Sequence, residues 1–412
     1  MSTKPKILAP AGYFDSMQAA IDAKADAIYF GVNTLNMRKL GSHNFQIEDL
    51  KKISDLCIKN SVESYLTVNS IIYDDEIGLM QKILDEAKKA KITAIIAHDL
   101  ATILYARKIG LKIHISTQAN ISNIEAIRFY SQFSDVMVLA RELNLMQIEN
   151  IVKAIEKDKI IGPSKNLVQI ETFVHGALCS SISGKCYMSL HQYNKSANRG
   201  ECLQACRRKY KVIEEETNKE LLLDNNYIMS LKDLCTIAHI DKLINAGIKN
   251  FKIEGRARSA EYVHTVTKCY KDAVEAVNDK TYTKDKIDHW LDELKKVYNR
   301  GFWHGGYYLG NETDIWSSSH GSQAIEKKTY IGKATNFFSN LKVGEFLLHS
   351  HQIKIGDEVL IIGPTTGAYK TKVESLHTDK KVKIAIKGEK VAIKLDKKIR
   401  RNDKLYLIET LN

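Results

Sequence analysis

Through the first two-thirds of the chain, short apolar runs rich in β-branched residues alternate with longer segments of helical periodicity. Eight runs stand out: KILAPAG (6–12), AIYFG (27–31), ESYLTVNS (63–70), ITAIIAHD (92–99), KIHISTQAN (112–120), DVMVLAR (135–141), LVQIETFVHG (167–176) and NFKIEGR (250–256). Each ends in small or polar residues. Amphipathic stretches such as IEDLKKISDLCIKN (47–60) and LMQIENIVKAIEKD (145–158) lie between them. Strands alternating with helices at this spacing predict βα units and a parallel sheet. Eight units suit a (β/α)8 TIM-like barrel, with an open doubly wound sheet as the alternative.

The barrel reading also says where chemistry belongs, because such barrels build their sites at the C-terminal ends of the strands. Polar residues recur there: Asn69, His98, Asp99, Thr117, Gln118, Arg141, Glu142, His175, Glu254 and Arg256, with Arg38 in the loop after the second run. Two ion pairs, Arg256 with Glu254 and Arg141 with Glu142, would give some of them a purely structural role. His114 lies inside an apolar strand, where a core histidine is the plain alternative.

Periodicity fails after the seventh run, where ETFVHGALCSSISGKCYMSLHQYNKSANRGECLQACRRKY (171–210) is rich in Gly, Ser and Asn. A hairpin around Thr217 and Asn218 follows, and SLKDLCTIAHIDKLINAG (230–247) reads as the helix before the eighth strand. NRGFWHGGYYLG (299–310) reads as a linker. From about Tyr330 short alternating strands separated by turn residues predict a small β-barrel. The expected organisation is a (β/α)8 domain over 1–310 with a cysteine loop at 177–210, a linker at 311–329, and a β-domain at 330–412.

Composition sharpens this picture in two respects. The 412 residues are 44% hydrophobic and 27% charged, as in a globular protein, with no apolar run of membrane-spanning length and no secretory signature. A cytoplasmic, reducing location is the expectation. The formal net charge is +12, and residues 325–412 carry 18 lysines and arginines against 10 aspartates and glutamates. A polyanion such as RNA is the partner this balance suits, although lysine-rich solvated faces would produce the same excess.

Four of the seven cysteines, Cys179, Cys186, Cys202 and Cys206, fall in the irregular stretch with spacing C-x6-C-x15-C-x3-C. In a reducing compartment this clustering points to ligation rather than disulfides. Zinc ribbons pair close cysteines on both sides, and here only the second pair is close. Single, widely spaced thiolates suit a [4Fe–4S] cluster, with zinc as the runner-up. Arg199, Arg207, Arg208 and Lys209 flank the loop and would balance cluster charge or hold an anion. Cys57 and Cys269 read as core residues, and Cys235 as a core residue or a substitute for Cys206.

The motifs ETFVHGALC and SGKCYMS (171–189), with APAG (9–12), ISTQAN (115–120), LARE (139–142), SANRGECLQACR (196–207) and KIEGRARS (252–259), resemble the U32 family, named for a collagenase-like peptidase. The resemblance covers the barrel and extends to the small β-domain. It implies either a peptidase or an oxygen-independent hydroxylase. The hydroxylases include tRNA enzymes that make 5-hydroxyuridine at the wobble position with prephenate as oxygen source, ribosomal RNA cytidine hydroxylases, and enzymes acting on ubiquinone precursors. The hydroxylases carry a [4Fe–4S] cluster on four cysteines, which by motif are Cys179, Cys186, Cys202 and Cys206.

A peptidase needs an activated nucleophile or a metal-bound water; HExxH and GxSxG are absent, and a Cys179–His175 pair would leave three cysteines unexplained. The hydroxylase reading, on tRNA first and ribosomal RNA second, uses all four. Arg38, Arg141 and Arg256 are then candidates to hold a dicarboxylate, because guanidinium groups bind carboxylates in bidentate fashion. Asn69, Gln118 and Arg207 join them as substrate-binding candidates. His114, His175, Arg141 and Glu254 are the catalytic candidates, and Tyr187, Tyr193 or Tyr210 would stack on an unstacked base. A non-enzymatic RNA-binding iron–sulfur protein is a third class.

Overall fold

The computed structural model describes residues 4–218, 220–221, 227, 229–304, 315–319 and 321–411. Seven of the expected strands, β1 (Lys6–Pro10), β2 (Ala27–Phe30), β3 (Glu63–Thr67), β4 (Ala94–Ala97), β5 (Ile113–Ile115), β6 (Val136–Val138) and β7 (Gln169–Gly176), pair in parallel in chain order. The eighth, Asn250–Ile253, pairs in parallel with both β7 and β1 and closes the ring. The fold is therefore a closed eight-stranded parallel barrel, and the open sheet is excluded. Its strands are almost wholly buried, as helices outside and side chains inside require.

Local chemistry sets the helix starts at the strand ends. Asp99 accepts from the Ala101 amide at 2.9 Å and starts the helix Leu100–Ile109, which stops at Gly110 in the left-handed region (φ 73°). Asn144 and Gln147 exchange side-chain bonds with each other's amides at 2.9 Å, capping Leu145–Lys157. Asp99, a candidate for the polar rim, is thus occupied as a cap, and its other oxygen accepts from the Ile72 amide at 3.1 Å.

Two boundaries differ from expectation. Residues 230–247 are not one helix: Asp233–Cys235 is a strand lying antiparallel on the end of β7, and the α-helix begins only at Ile240. The Asp233 and Thr236 amides donate to the carbonyls of Gly301 and Val174, so the backbone there is spent on the sheet. The expected linker at 299–310 includes a short strand, Phe302–Trp303, paired in parallel with Asp233–Cys235; its residues 305–310 lie outside the described ones. Within the expected linker at 311–329, residues 311–314 and 320 lie outside likewise, and Trp316 bridges to Leu231. The hairpin around Thr217 and Asn218 is present, pairing Val212–Ile213 with Glu220–Leu221.

The C-terminal strands form antiparallel sheets, the larger ordered Gly367–Lys372, Glu358–Gly363, Lys404–Thr410, Glu326–Phe338, Val343–Leu348, Lys390–Lys394, Leu376–His377. They enclose their own core, which includes Ile331, Phe346, Ile361 and Ile393. A second apolar cluster, Leu360 and Ile362 against Ala19 and Ala260, docks this module on the helices Phe14–Asp22 and Ala260–Asn278. Lys397 pairs with Asp22 at 2.6 Å across the same seam. Among the described residues no helix is long and apolar enough to cross a membrane.

Candidate active site at the barrel mouth

Register decides which side chains point inward. Ile96, His114, Val136, Gln169 and, two residues on, Glu171 follow one another across β4 to β7, and Phe173 faces Lys252 on the closing strand. The barrel interior therefore holds an ionic group among apolar ones. Lys252 Nζ lies 2.8 Å from Glu171 Oε1, both side chains are buried, and the ammonium sits 4.7 Å from the Tyr29 ring centroid. Interiors of such barrels are normally filled by branched apolar residues, so a charged pair there calls for a functional account.

Above this layer Lys252, Glu254 and Arg256 follow at every second position and line one cavity of about 60 Å³ together with Arg38 and Arg141. Arg38 places Nε and Nη2 at 3.2 and 2.9 Å from Glu254 Oε1. Arg256 is buried and donates to Thr67 Oγ1 and Asn36 Oδ1, each at 2.8 Å. Neither ion pair suggested by sequence proximity forms: Glu254 takes Arg38 instead of Arg256, and Arg141 stacks its guanidinium 4.0 Å from the Phe173 centroid. Arg141 donates to the Ala177 carbonyl at 3.3 Å, while its buried Nε has no hydrogen-bond partner. An orphaned buried donor costs about 1–3 kcal/mol, which makes Arg141 the least satisfied cation of the cavity.

The charges at the mouth do not cancel. Burial would raise the Glu254 pKa, but Arg38, Arg141 and Arg256 outweigh it and hold the carboxyl below its ordinary range. Burial lowers Arg256 to about 10, which leaves it protonated at neutral pH. Four cations, Arg38, Arg141, Lys252 and Arg256, face two carboxylates, Glu254 and Glu171. Two positive charges remain, the balance a dianion would complete. Backbone makes room for the guanidinium: a Cβ on Gly31 would stand 2.2 Å from Arg256 Nη1.

Beside this cavity lies another of about 110 Å³, lined by Cys179, Cys202 and Cys206 and sharing Met37, Arg38, Cys179 and Glu254 with the first. The cysteine loop is held over the mouth by contacts to the neighbouring βα loops. Arg199 is ion-paired with Glu76 and lies 4.0 Å from the Tyr73 ring, and Lys39 reaches Glu201 at 3.4 Å. Gly200, at φ 78°, rests so close to Asn36 that a Cβ would meet its carbonyl oxygen at 2.0 Å.

Arg207 lines the cysteine cavity but spends its guanidinium on Leu178, Leu231 and Ser230. Arg208 is engaged by Tyr193, and Tyr210 donates to the Ala205 carbonyl at 2.8 Å, which leaves the exposed Tyr187 as the freest of the three tyrosines. Arg199 and Arg207 are loop fasteners here, since hydrogen-bonding geometry has already used their forks.

The cysteine set fits an iron–sulfur cluster in donor chemistry but not in spacing. Three of the four thiols share a cavity, Cys186 does not line it, and among the described residues no three His, Cys, Asp or Glu side chains converge closely enough to hold a metal. A cluster on all four requires Cys186 to join the others. Burial, partly offset by Arg207, raises the Cys206 thiol. Cys57, Cys235 and Cys269 are buried away from this loop, with Cys235 Sγ 3.9 Å from Tyr270 Oη.

Asn69 and Gln118 line the barrel-mouth cavity and bond to each other at 3.3 Å. His114 and His175 do not line either cavity. His114 Nδ1 is 4.0 Å from Glu171 Oε2 inside the barrel, and His175 Nδ1 is 3.3 Å from Tyr270 Oη in the core. Burial lowers each to about 3, so neither exchanges a proton near neutrality. Lys252, Tyr29, Thr67 and Asn36 were missed by strand-end reasoning. The every-second-residue run Lys252, Glu254, Arg256 was the available signal.

A peptidase family U32 model matches residues 12–318, most of the chain. The chain belongs to peptidase family U32. Among its relatives, a "Collagenase" of Porphyromonas gingivalis is 51% identical over 97% of either chain. A "tRNA hydroxylation protein P1" of Bacillus subtilis is 29% identical over 97% of this U32 protein and 94% of its own length. A 23S rRNA 5-hydroxycytidine synthase of Escherichia coli is 31% identical over 73% of this chain and 45% of its own length.

The two buried histidines generate a pH prediction. Their folded pKa of about 3 lies below the ordinary 6.5, so unfolding takes up protons between those values. The stability they confer is complete above about pH 6.5 and is lost as the pH falls toward 3. In denaturant titrations compared across pH 4.5–5.5, replacing His114 by Gln should reduce the proton uptake on unfolding by about one. An unchanged uptake would mean that His114 is already protonated in the native state.

Proposed function

We propose that this U32 protein is an oxygen-independent RNA hydroxylase that forms 5-hydroxyuridine at the tRNA wobble position with prephenate as hydroxyl donor. The observation that carries this reading is the barrel-mouth cavity with two uncompensated positive charges, opening beside a cavity lined by three cysteines. Prephenate is a dicarboxylate. Arg141, its guanidinium over Phe173, is the group to receive one carboxylate, and Arg256, its fork held by Thr67 and Asn36, adds buried positive charge beside it. Glu254 fixes Arg38 between the two cavities, and Lys252 sets the floor.

A [4Fe–4S] cluster held by Cys179, Cys186, Cys202 and Cys206 is part of the proposal. Cys186 would have to join the three that line the cysteine cavity to complete its ligands, and the cluster would supply redox or Lewis-acid chemistry there. What the chain's own residues contribute is orientation of the anion and exclusion of water from the buried mouth.

The choice of tRNA is supported by the Bacillus subtilis relative, which this chain matches from end to end, whereas less than half of the ribosomal RNA relative is matched. Ribosomal RNA cytidine hydroxylation is the second reading. A cysteine peptidase finds little support in the geometry, because His175 is buried against Tyr270 and burial makes it a poor base for the exposed Cys179.

Mass spectrometry of nucleosides from a deletion strain tests the activity. Hydroxylated uridine should vanish from tRNA and return on complementation. Loss confined to hydroxylated cytidine in ribosomal RNA selects the second reading, and no loss of any hydroxylated pyrimidine contradicts both.

The cofactor is tested separately. Anaerobically isolated protein should contain about four iron and four sulfide per chain, and Cys186→Ser should lower both and bleach the charge-transfer absorbance. A colourless protein carrying zinc would overturn the cluster.

A further inference from the structure

The two cavities at the barrel mouth do not end there. The cysteine cavity shares Gly41, Ala257 and Arg258 with a groove of about 1090 Å³ that runs along the seam between the barrel and the C-terminal module. Arg256 lines both the barrel-mouth cavity and this groove. The seam groove, the cysteine cavity and the cationic pocket thus lie side by side, each sharing a wall with the next.

The walls of the groove carry the two features that hold a single-stranded polynucleotide. The module side presents Arg401 and Lys404, both exposed and without an ion-pair partner among the described residues. The two acids of the groove keep their charge, Asp403 buried and accepting from the Arg400 amide at 2.8 Å and Asp15 accepting from the Ser16 amide at 2.7 Å, and the cations Arg258, Arg401 and Lys404 outnumber them. The barrel side presents Tyr13, 42% exposed and stacked on Phe45 with a centroid distance of 5.6 Å and an interplanar angle of 23°. A partly exposed ring backed by another ring, with His43 tilted beside it at 6.0 Å, offers an aromatic surface to a base. Cations set apart from an aromatic ring suit a strand whose phosphates and bases go to different walls, an arrangement a duplex with its bases stacked inside does not use.

We infer that the seam between barrel and module is the track of single-stranded RNA. Phosphates lie on Arg401 and Lys404, one base stacks on Tyr13, and a neighbouring nucleotide turns in at Gly41 toward the cysteine cavity. This rests on the RNA reading given above and adds to it the surface that delivers the substrate. It also gives the module a purpose in the reaction: its docking on the helices Phe14–Asp22 and Ala260–Asn278 builds one wall of the track. The backbone of an extended peptide offers no charge to Arg401 and Lys404.

The test is equilibrium binding of a fluorescent single-stranded RNA 12-mer, and of the same sequence as a duplex, to the full-length protein at several salt concentrations. The double variant Arg401→Glu, Lys404→Glu should weaken single-strand binding by tenfold or more. The neutral pair Arg401→Gln, Lys404→Gln should lower the salt slope by about 1–2, the value for two phosphates. Tyr13→Ala should weaken it roughly tenfold, and Tyr13→Phe should leave it near wild type. The remote pair Lys380→Glu, Lys387→Glu serves as the control for bulk charge, and circular dichroism for folding.

Wild-type binding that the groove variants leave intact, or that the remote pair weakens equally, overturns the track and leaves the RNA reading standing. Preference for the duplex overturns it as well. Failure of the wild type to bind either RNA, with binding of a denatured collagen peptide instead, overturns the RNA reading and the track together.

Discussion

The structure turns on one charge imbalance, four cations against two carboxylates at the mouth of a closed barrel. Burying a charge costs several kcal/mol even after the surroundings relax, and a buried ion pair seldom repays it in stability. The Lys252–Glu171 pair and the Arg38–Glu254 pair therefore read as positioning devices. They hold cations in a dry pocket at fixed geometry, and they leave Arg141 and Arg256 without carboxylate partners. An isolated positive pocket of this kind is useful only if something anionic enters it.

The rest of the fold serves that pocket. Closure of the ring by Asn250–Ile253 brings the residues of the KIEGR segment opposite β2, β3 and β7. The loop over the mouth is fastened by Arg199, Arg207 and Gly200 and so sets three thiols beside the cations. The C-terminal module, docked by Leu360 and Ile362, extends the site outward along a basic seam. Family membership alone does not choose between a peptidase and a hydroxylase. The pocket's charge and the burial of His175 argue for the second.

The barrel was legible because its signal is local: eight β-branched runs ending in polar residues, most of them followed by an amphipathic helical stretch. The cysteine loop was legible by the loss of that periodicity. Partner choice was not. Glu254 stands two residues from Arg256, yet its partner is Arg38, 216 positions away, because side chains two apart on a strand share a face without having to meet. Lys252 was passed over because a lysine inside an apolar strand looks like a surface residue until register turns it inward onto Glu171. The histidines lie inward of the two cavities, the core alternative already open for His114, because strand ends and interiors look alike in sequence and only burial separates a rim residue from a core one. Residues 230–236 read as helical, but the amides of Asp233 and Thr236 are claimed by Gly301 and Val174 across the sheet.

Calorimetric titration of prephenate into the purified protein tests the charge imbalance most directly. The account predicts one binding site per chain, weakened by salt. Arg141→Ala should reduce affinity tenfold or more, and a monocarboxylate analogue should bind far less tightly. Saturable binding that is indifferent to Arg141 and to the second carboxylate, or no binding at all, would contradict it.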